Sequence, residues 1–345
     1  MALFSRRAST PAPIDGVDVV LADLDGVVYA GAGALPYAVD SLNKARDGRV
    51  LAYITNNASR TDASVAAHLS ELGLATAPGD IVTSPQAAMR LLVQRIAPGS
   101  TVLVVGGDGL VTEVEKAGFV VTRSADDAPS AVVQGFAPEV GWTQLAEAAY
   151  ALKVPEEEGG IPWIATNTDW TIPQARGLAP GNGTLVSAVH TAVGRLATVA
   201  GKPEVPIFQE AVARFSARQP LFLGDRLDTD ILGANRAGIA SALVLTGVDR
   251  PKHVLAAPEG SRPTFILGDL RELHEPYPEV SVKGGVATVR EARVAIDGAD
   301  VRVLSEGDRP IDLLRAGAAA IWSTGRAIFG FRVPEQLYAD PFHRP

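Results

Sequence analysis

The stretch Val19-Val20-Leu21-Ala22-Asp23-Leu24-Asp25-Gly26-Val27-Val28-Tyr29 decides how the rest of the chain is read. Four apolar residues run into two aspartates one residue apart, and a glycine then frees the backbone to turn out of the strand. Carboxylates at the end of a buried strand are costly unless something holds them there. Turn formation accounts for one aspartate but leaves the second, and the long apolar approach, unexplained.

The same design recurs further along. Val50-Leu51-Ala52-Tyr53-Ile54 ends in Thr55-Asn56-Asn57, and Leu221-Phe222-Leu223 ends in Gly224-Asp225-Arg226-Leu227-Asp228-Thr229-Asp230. Apolar runs alternating with helical spacings predict an α/β fold with a doubly wound parallel sheet, and in such sheets ligands bind outside the carboxyl ends of the strands. Each strand end alone reads as a turn or a helix cap. Three together, with Lys202 in a Gly-Lys-Pro loop between the second and third, form a cluster of carboxylates, hydroxyl and amide donors and one ammonium.

Composition bounds the function. At 345 residues the chain exceeds one ordinary core, and 47% apolar with 20% charged residues describes a globular protein. A net charge of -8 argues against nucleic acid as a partner, while leaving room for a small phosphate ester at a local positive site. Cysteine is absent, which excludes disulfides and thiolate chemistry and suits the cytoplasm. Arg6 and Arg7 are not followed by the apolar core of a leader, and no apolar run reaches the ~18 residues of a membrane span.

Between the second and third strand ends the pattern predicts a separate α/β unit: helices over 85–96, 110–117 and 142–152, strands over 101–105, 131–134 and 162–166, and a Gly/Pro-rich loop over 173–183. A helix over 185–196 then returns to the main sheet. The expected organisation is a core of 1–84 and 185–273, an inserted cap of 85–184, and a small α+β extension of 274–345. The extension carries no catalytic constellation; it is expected to bury apolar surface or to support a homo-oligomer, so that removing 275–345 leaves the chemistry intact but reduces solubility or changes assembly. Gly106-Gly107-Asp108-Gly109 does not fit a dinucleotide fingerprint and reads as a strand-to-helix turn. The five histidines lack ligand spacing, and the four tryptophans suit core or interface packing.

Packed acids need a counter-charge, and hard oxygen ligands without His or Cys favour Mg²⁺. Carboxylates, a divalent ion, a lysine and a Thr/Asn pair are what phosphoryl transfer requires. Hydrolysis of a phosphate monoester needs acceleration of up to ~10²¹-fold, whereas one general base supplies ~10² to 10⁴. Covalent catalysis combined with charge clamping meets that demand.

Asp23-Leu24-Asp25-Gly26-Val27, Thr55-Asn56-Asn57, Gly201-Lys202-Pro203 and Gly224 to Asp230 resemble the four ordered motifs of the haloacid dehalogenase superfamily. The inserted segment, with Ala165-Thr166-Asn167-Thr168-Asp169 and Gly177-Leu178-Ala179-Pro180-Gly181-Asn182-Gly183, is similar to the large cap of its p-nitrophenylphosphatase and phosphoglycolate phosphatase-like branch. The resemblance implies a phosphatase in which Asp23 attacks phosphorus and Asp25 protonates the leaving alkoxide and then activates water. It implies Mg²⁺ held by Asp23, the Asp25 backbone carbonyl and Asp225, and phosphoryl oxygens bound by Thr55, the Asn56–Asn57 region and Lys202. Asp230 and Asp228 would orient Lys202 or metal-bound water, and a cap on the following helix serves equally for Asp228. Arg176 and Asn182, in the cap loop, are candidate substrate contacts.

Asp25 separates this chain from the dehalogenases, which need no proton for a halide. With only about thirty residues between Asp25 and Thr55 there is no room for the small cap of the mutases. The same resemblance, which extends to a C-terminal addition on this branch, implies glycerol 3-phosphate as substrate, with 2-phosphoglycolate, pyridoxal phosphate and nucleotide monophosphates left open. A regulatory binding protein acting through the extension is the remaining alternative, against which the intact Asp23, Asp25, Lys202 and Asp225 argue.

Overall fold

The computed structural model describes residues 10–174 and 176–339; Arg6, Arg7 and His343 lie outside the described residues. The chain divides into two compact units, one of Met1–Leu51 with Arg218–Pro345 and one of Ala52–Ala217. It passes from the first to the second inside the strand Val50–Thr55.

In the first unit four parallel strands lie in the order Phe265–Leu267, Ala240–Val244, Pro220–Gly224, Val19–Ala22. Their middles are buried without alternation, as in a sheet covered on both faces, which is why they read as continuous apolar runs. Val19 to Ala22 pair with Pro220 to Leu223 in register, so both strands deliver an aspartate, Asp23 and Asp225, at the same edge.

The segment after residue 274 buries apolar surface, as expected, and does so in a core it shares with the parallel sheet. Strands Val280–Lys283, Val286–Val289, Ala292–Asp297 and Asp300–Ser305 form an antiparallel sheet whose inner face packs on the helix Pro310–Trp322. Ala287, Val294, Leu314, Ala318 and Ile321 share one core with Leu227, Ile231, Leu243, Val254 and Ile266 of the parallel sheet and its loops. The outer edge of the Phe265–Leu267 strand is sealed by side chains of this segment. Tyr277 Oη accepts the Ile266 N–H at 3.1 Å, and Arg315 donates to the Ile266 carbonyl through Nε at 3.0 Å and Nη2 at 2.5 Å. Arg315 also donates to Asp312 and Glu272, each at 2.8 Å, and stacks 4.5 Å from the Tyr277 ring. An edge strand left open is a site for mispairing, and this clasp removes it.

In the second unit five parallel strands lie in the order Thr198–Val199, Trp163–Ala165, Ala131–Gln134, Thr101–Val105, Val120–Thr122. Helix Asn182–Val193 lies beside Trp142–Ala151, and Val186 and Val189 join Leu103, Val132 and Trp163 in the core. Residues 185–199 therefore go with the inserted sheet, not with the main one as the sequence reading had it. The two-residue strand Thr198–Val199 is too short to leave a periodic signal, and a helix pattern does not name the sheet it covers. The expected loop over 173–183 is instead a hairpin of Thr171–Gln174 and Gly177–Pro180 followed by the helix; its prolines sit in an exposed two-stranded ribbon, where a missing N–H is tolerated. Trp163 fills the core as expected, whereas Trp142 and Trp170 are largely exposed. Gly107 caps the helix Asp108–Lys116, which makes Gly106 to Gly109 a strand-to-helix turn.

Arg315→Met leaves Glu272 and Asp312 short of a buried partner, and is expected to lower stability by about 3 kcal/mol in urea unfolding of the full chain. A chain ended at residue 274 should lose its cooperative transition, contrary to the sequence-based expectation, because the shared core would be opened.

Candidate active site

In the first unit the Asp23 N–H donates to the Leu223 carbonyl at 2.8 Å, one step beyond the last paired residue of the strand. The Leu24 carbonyl then accepts from Val28 at 2.8 Å and Tyr29 at 3.2 Å, and Gly26 turns the chain at a φ of 82°. The strand has ended before the second aspartate. Asp23 is buried, whereas Asp25 is exposed, so the two-residue spacing does not put both on one strand face.

Asp225 and Asp230 meet Asp23 there: each of the three buried residues offers a carboxylate oxygen, all within 4.8 Å of one another. Asp225 Oδ2 accepts the Val248 N–H at 2.6 Å, and the Asp225 carbonyl accepts the Asp249 N–H at 3.1 Å. Asp230 Oδ2 accepts the N–H groups of Asp225 and Arg226, each at 3.1 Å, and so folds the loop back on its own strand. Two glycines make the approach possible: a Cβ on Gly247 would lie 2.0 Å, and on Gly26 2.3 Å, from Asp225 Oδ2.

Asp228 is not in this cluster. It lies in the π-helical turn Leu227–Ile231 and pairs with Arg226 at 3.0 and 2.9 Å. Partial burial opposes its charge, but the Arg226 guanidinium outweighs that and holds its pKa below the ordinary value. Asp249, absent from the sequence reading, anchors the same turn by accepting the Leu227 N–H at 2.5 Å. Burial raises its pKa, against the opposing Leu227 hydrogen bond and His253, 3.0 Å away. No spacing rule would have found it, since it acts on a loop 22 residues earlier.

Three carboxylates this close repel on the order of 3 kcal/mol per pair even at an effective dielectric near ~20. An oxygen-only donor set, buried and without histidine, fits a small hard divalent cation.

In the second unit Thr55 is buried at the end of its strand, and its Oγ1 accepts the Asn57 N–H at 3.1 Å. Asn57 is exposed and uses its Oδ1 on the Ser59 N–H and hydroxyl. The Asn56 amide is engaged differently. Its Oδ1 accepts the Lys202 N–H at 2.8 Å, while Nδ2 donates to the Lys202 carbonyl at 3.0 Å and to both Asp169 oxygens at 3.2 and 3.3 Å. The Asn56 carbonyl accepts from Ser84 Oγ and Asn167 Nδ2, each at 2.8 Å. A Cβ on Gly201 would lie 2.5 Å from Asn56 Oδ1, so the Gly-Lys-Pro loop needs its glycine. The Asn56 side chain thus holds the lysine loop.

Of the two cap candidates, Arg176 stays in an exposed loop and Asn182 is buried. Arg176 stands exposed in the turn between the hairpin strands. Asn182 opens the helix Asn182–Val193, is 1% exposed, and donates to the Asn167 carbonyl at 2.7 Å, which is a structural role in place of a substrate contact.

Sequence models for haloacid dehalogenase-like hydrolase and for the HAD-hydrolase-like group match residues 20–120 and 199–273. The chain is 43% identical over 320 residues to D-glycerol 3-phosphate phosphatase of Mycobacterium tuberculosis, covering 90% of this chain and 87% of that one. It is 34% identical over 275 residues to glycerol-3-phosphate phosphatase of Gallus gallus, covering 73% and 87%. The crystal structure of the Mycobacterium tuberculosis glycerol phosphate phosphatase in complex with magnesium superposes with a TM-score of 0.84 at 42% identity, over 93% of this chain and 94% of that one. The chain belongs to the haloacid dehalogenase-like hydrolase family. Within it the chain is an enzyme of the phosphatase class. Among the described residues no helix is long and apolar enough to cross a membrane.

Gly247→Ala must push Asp225 aside, and is expected to cost about 1–3 kcal/mol and to raise the Mg²⁺ concentration for half-maximal turnover. Thermal unfolding and a Mg²⁺ titration of the rate check both.

Proposed function

We propose that this chain hydrolyses glycerol 3-phosphate to glycerol and phosphate with Mg²⁺ as cofactor, through an aspartyl-phosphate on Asp23. The observation that carries the reading is the buried Asp23, Asp225 and Asp230 cluster, standing where the family's first and fourth motifs fall. The substrate rests on likeness to two glycerol 3-phosphate phosphatases, one matched over 90% of this chain with the C-terminal segment included.

Asp23, Asp225 and the Asp25 backbone carbonyl would hold the metal, with Asp230 fixing the Asp225 loop; the ion when bound offsets the charge of the phosphoryl oxygens. An Asp23 carboxylate oxygen forms a bond to phosphorus as the ester P–O bond breaks. The departing alkoxide takes the Asp25 proton and leaves as glycerol. The Asp25 carboxylate then takes a proton from a water whose oxygen attacks phosphorus, breaking the Asp23–phosphorus link and releasing phosphate. Exposure suits Asp25 to this exchange, because its proton must come and go. The Thr55 hydroxyl, the Asn56 backbone N–H and the Lys202 ammonium would bind the transferred oxygens.

Initial rates with Mg²⁺ against a panel of phosphate esters, run beside Asp23→Asn, test the reading. Glycerol 3-phosphate should show the highest kcat/KM, and the variant should lose at least ~10³-fold on every ester. Near-normal turnover by Asp23→Asn contradicts the covalent route, and a clear preference for another ester contradicts the substrate.

A further inference from the structure

The Asn56 amide bridges both backbone polar groups of one residue, accepting from Lys202 N–H and donating to Lys202 C=O. A two-point grip of this kind constrains both peptide planes that flank the residue, and with them the direction in which its side chain leaves. It works in only one orientation of the amide, because a flipped group would set donor against donor and acceptor against acceptor. The second Nδ2 proton goes to the Asp169 carboxylate, an acceptor on both oxygens, which rewards the correct orientation and opposes the flipped one.

Asp169 is itself held rigidly. Its N–H donates to Asn167 Oδ1 at 3.1 Å, and its carbonyl accepts the Gly183 N–H at 2.9 Å where the helix Asn182–Val193 begins. Gly181 and Gly183 lie so close that a Cβ on either would come 2.2 or 2.3 Å from the carbonyls of Asp169 and Thr168. Asn167 reaches back to the Asn56 carbonyl, and Asn182 holds Asn167 in turn. The end of the Trp163–Ala165 strand, the second motif and the lysine loop are therefore one hydrogen-bonded assembly within the second unit.

We propose that Asp169 is a positioning residue for phosphoryl transfer: by orienting the Asn56 amide it fixes the Lys202 backbone and so the lysine ammonium. The proposal rests on the phosphatase reading above and adds a residue with no assigned role in it. Because Lys202 serves the transferred phosphoryl group, which every ester shares, the effect of Asp169 is independent of the leaving group.

The test compares Asp169→Ala, Asp169→Asn, Asn56→Ala and the double alanine variant with wild type, using glycerol 3-phosphate and p-nitrophenyl phosphate. Asp169→Ala should lower kcat by about 10- to 100-fold on both esters with KM changed less than about threefold. Asp169→Asn, whose amide oxygen still accepts from Asn56, should recover most of that loss. The double variant should be no slower than Asn56→Ala alone, since both changes release the same lysine. A wild-type kcat in Asp169→Ala overturns the proposal, as do a loss confined to the KM of one ester and independent, multiplying losses in the double variant. A wild type that turned over neither ester would overturn the phosphatase reading itself, and the proposal with it.

Discussion

Crowding of three buried carboxylates is the constraint on which the first unit is organised. Asp23, Asp225 and Asp230 stand within 4.8 Å of one another, an arrangement that no protein keeps by packing alone. The surrounding chain is committed to it. Parallel register brings Asp23 and Asp225 out at the same end of neighbouring strands, backbone N–H groups from Val248, Asp225 and Arg226 turn the carboxylates, and Gly26 and Gly247 make room. Asp249 and Asp230 both fix the entry to the same short π-helical turn, through the N–H groups of Leu227 and of Asp225 and Arg226. A cation at this point would convert mutual repulsion into the largest local attraction of the unit.

The C-terminal segment extends that dependence. Leu227 and Ile231, on the turn that carries Asp228 and Asp230, pack into the core built with the Pro310–Trp322 helix. Trp322 Nε1 donates to the Val254 carbonyl at 3.2 Å, on the helix that follows the Gly247 to Asp249 loop. The loops that carry the carboxylate cluster are thus backed by residues from beyond position 274. An additive module would not share hydrophobic core with the loops that carry the chemistry.

Strand ends were the most legible part of the sequence, because a carboxylate following four apolar residues is costly and therefore informative. Asp23, Asp225 and Thr55 were named from their strand ends and Lys202 from its Gly-Lys-Pro loop, and the structure buries these four, while Asp25, named with Asp23, is exposed. The cation cluster was half legible: Asp230 was placed beside it, while Asp228, of the same chemical type two residues earlier, pairs outward with Arg226. Side-chain partners far along the chain were not legible. The engagement of the Asn56 side-chain amide was hidden because its partners lie 113 and 146 residues away, where no local pattern shows them. Asn182 read as a loop contact for the same reason, its acceptor lying 15 residues back. Fold boundaries failed where the deciding element was a two-residue strand or a hairpin rich in proline.

The central claim is that the Asp23, Asp225 and Asp230 cluster exists to hold a divalent cation. Isothermal titration of the full chain with Mg²⁺ alone measures it directly, with Asp225→Asn and Asp228→Asn as paired variants. One Mg²⁺ should bind the wild type and Asp228→Asn alike, and binding should be lost in Asp225→Asn. Absence of binding to the wild type at millimolar Mg²⁺, or an undiminished site in Asp225→Asn, would contradict the account.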